Sequence, residues 1–305
     1  MLFTHPACIG HDPGRHHPER PARLQAVLEA LAAPDFDDLD RREARRATAI
    51  ELERVHTAAY VRSILDRVPA RGHVQLDPDT ALSPGSGEAA LRAAGAVCAA
   101  VDAVLSGDGD RAFAAVRPPG HHALPDQAMG FCLFNNVAVA TRHGQAVHGL
   151  GRVAIVDFDV HHGNGTQDIF EQDGSVFYGS SHQSPCYPGT GWEGERGVGN
   201  VVNVGLAPGS GSIQFRRAYQ TRILPALDAF APELILISAG FDAHAWDPLA
   251  SLTLTEDDFA WITVELVSLA KVHCGGRVVS SLEGGYDLEA LAASVTGHVK
   301  ALLSI

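Results

Sequence analysis

Two aspartates and a histidine at two-residue spacing are the residues whose arrangement most directly indicates chemistry. Asp157, Asp159 and His161 lie in and just after an apolar run that begins at Val153, and side chains two residues apart on a strand share a face. Another aspartate, Asp242, follows a second apolar run. Asp159, His161 and Asp242 can bind one zinc ion and leave a position open for water, which is the catalytic pattern. Each residue alone is better explained by a strand-end hydrogen bond or a helix cap, but their combination predicts a catalytic zinc site.

Adjacent histidines and a glycine-flanked tyrosine supply further groups that could take part in catalysis. His121 and His122 follow Pro118 and Pro119 closely, and prolines restrict the backbone torsions that place both imidazoles. We interpret the pair as a general base and an electrostatic partner; the alternative is a pair of structural histidines. Tyr286 follows two glycines that permit a tight turn. Its phenol is either an oxyanion donor or a core hydroxyl with an internal partner.

A sheet must position these residues, because they follow short runs rich in β-branched and apolar side chains. The predicted strands are 112–116, 153–159, 176–180, 201–205, 234–238 and 277–282. Apolar residues at three- and four-residue spacing predict helices over 88–105, 136–147, 213–230, 256–273 and 287–303. Strands alternating with helices predict an α/β fold with a parallel sheet covered on both faces. Ligands bind at the carboxyl ends of such strands, so one crevice is expected to gather the candidate residues.

Composition restricts the class of protein. We interpret residues 1–305 as a single domain, because the composition shows no break. The formal net charge of −13 gives no general attraction to nucleic acid or anionic lipid and favours cationic substrates. The five cysteines are scattered and lack CxxC spacing, which favours a reducing compartment. We find neither the features of a signal peptide nor a long apolar run, and so expect a cytoplasmic protein without a membrane partner.

Five motifs together resemble those of the histone deacetylase family. They are RPPGHH at 117–122, GFCLFNN at 130–136, DFDVHHGNGTQ at 157–167, SAGFDAHAWDPL at 238–249 and EGGY at 283–286. From the HPERPARL stretch at 17–24 onward, their order and spacing are most similar to class II-type members and bacterial histone deacetylase-like amidohydrolases. The resemblance implies the arginase–deacetylase fold, a single α/β domain with a central parallel sheet of about eight strands flanked by helices.

The resemblance also implies a role for each candidate residue. The zinc ligands would be Asp159, His161 and Asp242; the catalytic residues would be His121, His122 and Tyr286, with Asp157 holding His121 and Asn164 holding His122; the channel walls would be Gly130, Phe131, Tyr187 and Leu249. A structural potassium ion would bind Asp157, Asp159, His161 and Ser180. An amide stabilises an imidazolium less than a carboxylate does. We therefore expect His122, beside Asn164, to be the general base.

The implied reaction is hydrolysis of an N-acetyl or other N-acyl amide to a free acid and an amine. The expected substrates are acetylated lysine side chains or small acetylated amines. Zinc would polarise the carbonyl, His122 would take a proton from the attacking water, and Tyr286 would stabilise the oxyanion. The sequence predicts no nucleic-acid partner and is compatible with a homo-oligomer.

Three alternative functions stay open. An acetylpolyamine amidohydrolase is the nearest, although Leu249 stands where a polyamine-selective relative has a glutamate. A non-catalytic acyl-lysine binder would not need the tandem histidines together with Tyr286. An arginase-like binuclear manganese hydrolase would need more bridging carboxylates than Asp159 and Asp242 supply.

Two features of the expected pocket rim raise separate questions. The rim aspartate with which some family members bind a peptide backbone has no clear counterpart between Arg62 and Val74, which counts against a peptide substrate. The histidine-rich start is either a metal-binding tract or, as we favour, a loop at the pocket rim. Its members are His5, His11, His16 and His17.

Overall fold

The structure, a computed structural model, describes residues 1–303. Within them the strands are β1 (Leu2–Thr4), β2 (Arg41–Glu43), β3 (Val74–Gln75), β4 (Ala81–Leu82), β5 (Arg111–Ala114), β6 (Val153–Asp157), β7 (Val176–Gln183), β8 (Val201–Leu206), β9 (Leu234–Ala239) and β10 (Val278–Leu282). The helices are α1 (Ala22–Ala30), α2 (Ala49–Glu53), α3 (Ala58–Asp66), α4 (Ser86–Ser106), α5 (Asn136–His148), α6 (Asn164–Phe170), α7 (Ser212–Ala218), α8 (Leu224–Phe230), α9 (Glu256–Cys274) and α10 (Leu288–Leu303).

Eight of these strands form one parallel sheet in the order β2-β1-β5-β10-β9-β6-β7-β8. The central strands β10, β9 and β6 are buried at every position, as expected for a sheet covered on both faces. The predicted α/β domain with about eight parallel strands is therefore confirmed. The remaining strands, β3 and β4, form a separate antiparallel pair.

Length decides which strands the sequence predicts. The six predicted strands all form, with shifted ends, and each is at least four residues long. The three-residue strands β1 and β2 were not predicted, and β2 lies in the charge-rich stretch 35–46. Its residues are largely exposed and are held by pairing with β1 rather than by burial.

The five predicted helices are also present, and two have noteworthy details. The helix predicted over 213–230 consists of α7 and α8 joined by a wider π turn at Tyr219–Ile223. Pro225 follows this turn and has no N–H to donate within it.

Helix α4 is long and apolar enough to cross a membrane by length and composition, contrary to our statement that no long apolar run is present. Most of its residues are buried inside the fold, as in a core helix.

Strand β6 ends at Asp157, two residues earlier than predicted. Beyond that point side chains add to the remaining backbone hydrogen bonds. Asp157 Oδ1 accepts the backbone N–H of Asp159 at 3.1 Å, and Asp159 Oδ1 accepts that of His161 at 2.9 Å. Asp242 Oδ1 accepts the backbone N–H of Val160 at 2.8 Å. The alternation we expected from strand geometry is thus maintained by aspartate-to-backbone hydrogen bonds.

Candidate active site and metal centre

Asp159, His161 and Asp242 converge where the loops after β6 and β9 meet. His161 Nδ1 lies 3.1 Å from Asp159 Oδ1 and 3.1 Å from Asp242 Oδ2. One ligand atom from each residue lies within 4.8 Å of the others. The second oxygen of Asp159 accepts the backbone N–H of Gly284 at 2.8 Å, which fixes the carboxylate's orientation. The three residues thus offer one nitrogen and two oxygens to a common point.

Charge and space at this group fit a metal ion. Asp159 and Asp242 are each 1% exposed, and no lysine or arginine forms an ion pair with either within residues 1–303. Two buried carboxylates with no lysine or arginine partner are costly unless a cation compensates them. A Cβ at Gly284 would lie 2.0 Å from Asp242 Oδ2 and 2.5 Å from Asp159 Oδ2. Only glycine leaves this space free beside the ligands.

The first of the tandem histidines is held by a carboxylate. Nδ1 of His121 lies 3.0 Å from Oδ2 of Asp157, which also accepts a hydrogen bond from the Tyr178 hydroxyl at 3.1 Å. Burial opposes protonation of His121, but the carboxylates of Asp159 and Asp157 outweigh it and raise the pKa of the imidazole to about 10. A cation at Asp159 would neutralise part of that charge and lower the pKa.

The second histidine has a neutral partner. His122 Nδ1 donates to Asn164 Oδ1 at 2.8 Å, which leaves Nε2 unprotonated in the neutral ring. Burial, followed by the charges of His121 and His161, lowers the pKa of His122 well below its usual range. Gly130 has a φ of +56°, and a Cβ there would lie 2.4 Å from His122 Cδ2. This close approach lets the backbone at Gly130 cover one side of the imidazole.

Tyr286 is placed by a buried arginine that the sequence analysis did not single out. Arg23 donates to the carbonyls of Gly285 at 2.5 Å and Glu283 at 2.6 Å, and its guanidinium lies 4.7 Å from the centre of the Tyr286 ring. Burial raises the pKa of Tyr286 well above its usual range, although the Arg23 charge opposes this rise. The phenol therefore stays protonated and can donate a hydrogen bond.

These groups face one pocket of about 210 Å³. Its chemical groups are His122, His161 and Tyr286, and the four predicted wall residues, Gly130, Phe131, Tyr187 and Leu249, all line it. The Tyr187 ring meets the His122 ring edge to face at 5.2 Å, and the Phe131 ring meets the Tyr286 ring at 5.8 Å. Aromatic walls thus lead directly to the base and the phenol.

Asp79 also lines the pocket, and the sequence analysis missed it. It lies between β3 and β4, just beyond the interval in which we sought a rim carboxylate, so a carboxylate is present after all. Its Oδ1 accepts the N–H of Gly130 at 3.1 Å and the Thr80 hydroxyl at 2.8 Å. Asp77 Oδ1 accepts the N–H groups of Asp79 and Thr80, which fixes the turn. An aspartate bonding the backbone two residues on was the available signal.

The histidine-rich start does not converge on a metal. His5 caps a 3₁₀ turn and pairs with Glu43, whereas the ring nitrogens of His11 face Ser86 and Glu19. His17 alone among the four contacts residues of the pocket, with its ring 4.7 Å from that of Phe131 and its Nε2 3.0 Å from the Asp79 carbonyl. The structure thus places part of this segment at the pocket rim.

The residues named for potassium lie next to one another at the β6–β7 boundary. Asp157 and Ser180 are paired in register across the two strands. The Ser180 hydroxyl lies 2.9 Å from His182 Nδ1. Asp157 and Ser180 are thus adjacent, and the binding of potassium stays a prediction.

A second group of potential ligands lies between α4 and α5, near the ends of these helices that lead into β5 and β6. Asp102 Oδ1 lies 2.6 Å from His143 Nε2 and 2.8 Å from His148 Nε2. Ligand atoms at zinc distances in a tetrahedron are about 3.3 Å apart, so the shorter spacing indicates hydrogen bonds. Arg45 also lies 3.3 Å from Asp102. This group is an ion-pair cluster that ties helices together.

A comparison with known families decides the identity of this fold and site. The family model described as "Histone deacetylase domain" matches residues 17–302. The chain belongs to the histone deacetylase family. A histone deacetylase-like amidohydrolase of Pseudomonas aeruginosa is 44% identical over 288 residues, covering 92% of this chain and 74% of the relative. Histone deacetylase 14 of Arabidopsis thaliana, a chloroplastic protein, is 40% identical, covering 99% of this chain and 76% of that one.

Two further similarities concern the fold of the family and the range of substrates for which its members are named. The crystal structure of the HDA15 HD domain superposes with a TM-score of 0.93 at 39% identity, covering 99% of this chain and 87% of that one. The arginase–deacetylase fold predicted for this chain is thereby confirmed. Human polyamine deacetylase HDAC10 is 40% identical, over 93% of this chain and 44% of its own length. The family thus includes proteins named for histone and for polyamine substrates.

Proposed function

We propose that this protein is a zinc-dependent deacetylase that hydrolyses acetylated lysine side chains or small acetylated amines to acetate and the free amine. One observation carries the proposal: a single pocket is lined by His122, by His161 of the metal group and by Tyr286. A base, a metal ligand and a phenol donor on one pocket are the components of metal-assisted amide hydrolysis.

Zinc is the proposed ion because Asp159, His161 and Asp242 would be three protein ligands, with one position left open. When bound there, zinc would supply a Lewis acid for the amide carbonyl and lower the pKa of water. An arginase-like binuclear site is disfavoured, because neighbouring carboxylates have other partners. Asp157 binds His121, and Asp247 accepts backbone N–H groups.

The chain's own residues then divide the proton transfers. His122, unprotonated at Nε2, accepts the proton of the attacking water while Asn164 holds its Nδ1–H. Tyr286 donates its hydroxyl proton in a hydrogen bond to the oxyanion that forms on the former carbonyl oxygen. A tandem histidine returns a proton to the leaving nitrogen, and Asp157 keeps His121 oriented. The aromatic walls exclude bulk water from these steps.

The pocket mouth bears on the substrate class. The Asp79 carboxylate lines the pocket and is placed to accept from a peptide N–H or to pair with an ammonium group, in addition to the two hydrogen bonds at its Oδ1. Leu249 provides only apolar contact at the wall. Asp79 therefore removes our objection to peptides and also favours, as a second candidate, the hydrolysis of acetylated polyamines, the substrates for which HDAC10 is named.

Two accompanying features belong to the same proposal. A structural potassium ion at Asp157, Asp159, His161 and Ser180 rests on the family resemblance and on the pairing of Asp157 with Ser180. A cytoplasmic location rests on the five cysteines, all of which are free thiols, as a reducing compartment would keep them.

Metal analysis and a substrate panel test the proposal together. The purified protein should contain about one zinc ion per chain. A chelator should abolish hydrolysis and added zinc should restore it. The panel should compare acetyl-lysine peptides, acetylpolyamines and small acetamides by kcat/KM. Full activity after exhaustive chelation would contradict the metal role, and a zinc-loaded protein that binds acetyl-lysine without turnover would instead be the binding module.

A further inference from the structure

Asp247 is a buried carboxylate outside the metal group that touches two separate parts of the pocket. It follows β9 in the loop that also carries Asp242, and it is 8% exposed. Its Oδ2 accepts the backbone N–H of Tyr286 at 2.7 Å, and its Oδ1 accepts that of Leu249 at 3.0 Å. One side chain thus connects the proposed oxyanion donor with the wall of the channel.

The partners of Asp247 are all backbone N–H groups. No lysine, arginine or histidine forms an ion pair with it within residues 1–303. Burial, followed by the charge of Asp242, raises the pKa of Asp247 to about 7, whereas the N–H groups of Leu249, Tyr286 and Asp287 lower it. Backbone hydrogen bonds are therefore what compensates this buried carboxylate, and the loops that supply them are constrained in return.

Tyr286 needs such a constraint. Two backbone hydrogen bonds, from Glu283 N to Ala239 O at 2.9 Å and from Phe241 N to Gly284 O at 3.0 Å, join its loop to the loop after β9. Both of these hydrogen bonds involve residues that precede Tyr286 in the chain. Asp247 accepts the backbone N–H of Tyr286 itself, and Arg23 binds the Gly285 carbonyl of the same peptide unit. Together they fix the backbone of Tyr286 and hence the position of its phenol.

We propose that Asp247 is a positioning residue that sets the Tyr286 phenol against the Leu249 wall, an inference that rests on the proposed deacetylase function. Its two oxygens perform different tasks. The Oδ2 contact fixes the phenol and acts on the chemical step, whereas the Oδ1 contact fixes the wall and acts on substrate binding. Asparagine cannot perform both tasks, because its amide nitrogen would face one of the two N–H groups.

A double-mutant cycle tests this division. Asp247→Asn should lower kcat roughly 10- to 100-fold in the otherwise unchanged protein, because small misplacements of catalytic groups are costly. In the Tyr286→Phe background the same change should lower kcat less than about 3-fold, since the phenol it positions is gone. Any rise in KM should be the same in both backgrounds, because Leu249 is present in both. An equal loss of kcat in the two backgrounds would overturn the proposal.

Asp258 offers a matched control. It is a buried carboxylate that binds Ser212 and Arg216, outside the pocket. Asp258→Asn should lower stability without any coupling to Tyr286→Phe. If Asp247→Asn does not fold, Asp247→Ser takes its place in the cycle, because the shorter hydroxyl cannot reach both N–H groups.

Amide hydrogen exchange gives a readout that needs no turnover. In Asp247→Asn, or in the serine variant, the amide of Tyr286 or of Leu249 should exchange at least about tenfold faster than in the unmodified protein, while amides in β9 are unchanged. Unchanged exchange at both amides would overturn the inference even if the protein is an active deacetylase. Faster exchange in a protein without amidase activity would support the positioning contact and refute the proposed function instead.

Discussion

Asn164 Oδ1 accepts a hydrogen bond from Nδ1 of His122 at 2.8 Å, whereas the neighbouring His121 faces the carboxylate of Asp157. The two imidazoles therefore differ in the charge of the group behind them. Burial, followed by the charges of His121 and His161, lowers the pKa of His122, and the neutral amide of Asn164 adds no negative charge to reverse this shift. The ring is therefore unprotonated and can act as a base at neutral pH.

Asn164→Asp should raise the pKa of His122, because an added carboxylate stabilises the imidazolium. The acid limb of the kcat/KM profile reports the base of the free enzyme. We expect this limb to move upward by on the order of one pH unit. A limb that stays in place in the aspartate variant would show that residue 164 does not control the base.

Tyr286→Phe should lower kcat by roughly 10²–10³, the usual loss for one oxyanion donor. Zinc content and the circular dichroism spectrum should be unchanged, because within residues 1–303 the Tyr286 hydroxyl forms no hydrogen bond with a metal ligand or a core residue. Steady-state kinetics with an acetyl-lysine peptide measures the effect. Turnover like that of the unmodified protein would remove the phenol from the mechanism.

Leu249→Glu should shift selectivity toward acetylated polyamines. The second ammonium group of a polyamine is costly to desolvate without an acidic partner, and Leu249 supplies none. The unmodified protein is therefore expected to use lysine-type or uncharged acetyl substrates at least as efficiently as acetylpolyamines, compared by kcat/KM. A large preference of the unmodified protein for acetylpolyamines would show that Asp79 suffices for the ammonium, and Asp79→Asn should then remove that preference.

The free energy of unfolding should fall as the pH is lowered from about 6.5 to about 4. His56 is 1% exposed, its Nδ1 donates to the Leu124 carbonyl, and its Nε2 accepts the N–H of Asn135. Burial lowers the pKa of His56 to about 4. In this pH range the unfolded chain binds a proton at His56 that the folded protein does not bind. The contribution of His56 to the free energy of unfolding is therefore complete above about pH 6.5 and is lost progressively as the pH falls to about 4.

Urea unfolding at a series of pH values measures this loss, which is about 1.4 kcal/mol per pH unit for one proton. His56→Gln should reduce the slope by about one proton, because glutamine can supply the same donor and acceptor without titrating. An identical slope in the glutamine variant would mean that other groups cause the acid sensitivity.

The fold was predictable where one strand's own sequence decides its burial. Val153 to Val156 and Leu234 to Ile237 are apolar throughout, and both runs form central strands. The short strands β1, β2, β3 and β4 carry no such run, and each is defined by its pairing with another strand. A single sequence contains little information about such pairing.

The candidate site divides in the same way. The metal group and the tandem histidines follow predicted strands, so their meeting at one sheet edge was foreseeable. Asp79, Arg23 and Asp247 act through backbone contacts with segments far away in the chain, such as Gly130 and Gly285. Their roles depend on which carbonyl or N–H group lies opposite, and residue type alone does not reveal this.

Strand β10 lies between β5 and β9, which do not pair with each other. The tandem histidines follow β5, the metal group follows β6 and β9, and β10 leads to Tyr286. Since β10 is the last of the described strands to be synthesised, a nascent chain that has not yet extended beyond Val278 holds two unjoined halves of the sheet. Each half then exposes an unpaired strand edge, which is a template for aggregation on the ribosome. Insertion of β10 between the two halves thus removes both exposed edges and completes the pocket in the same event.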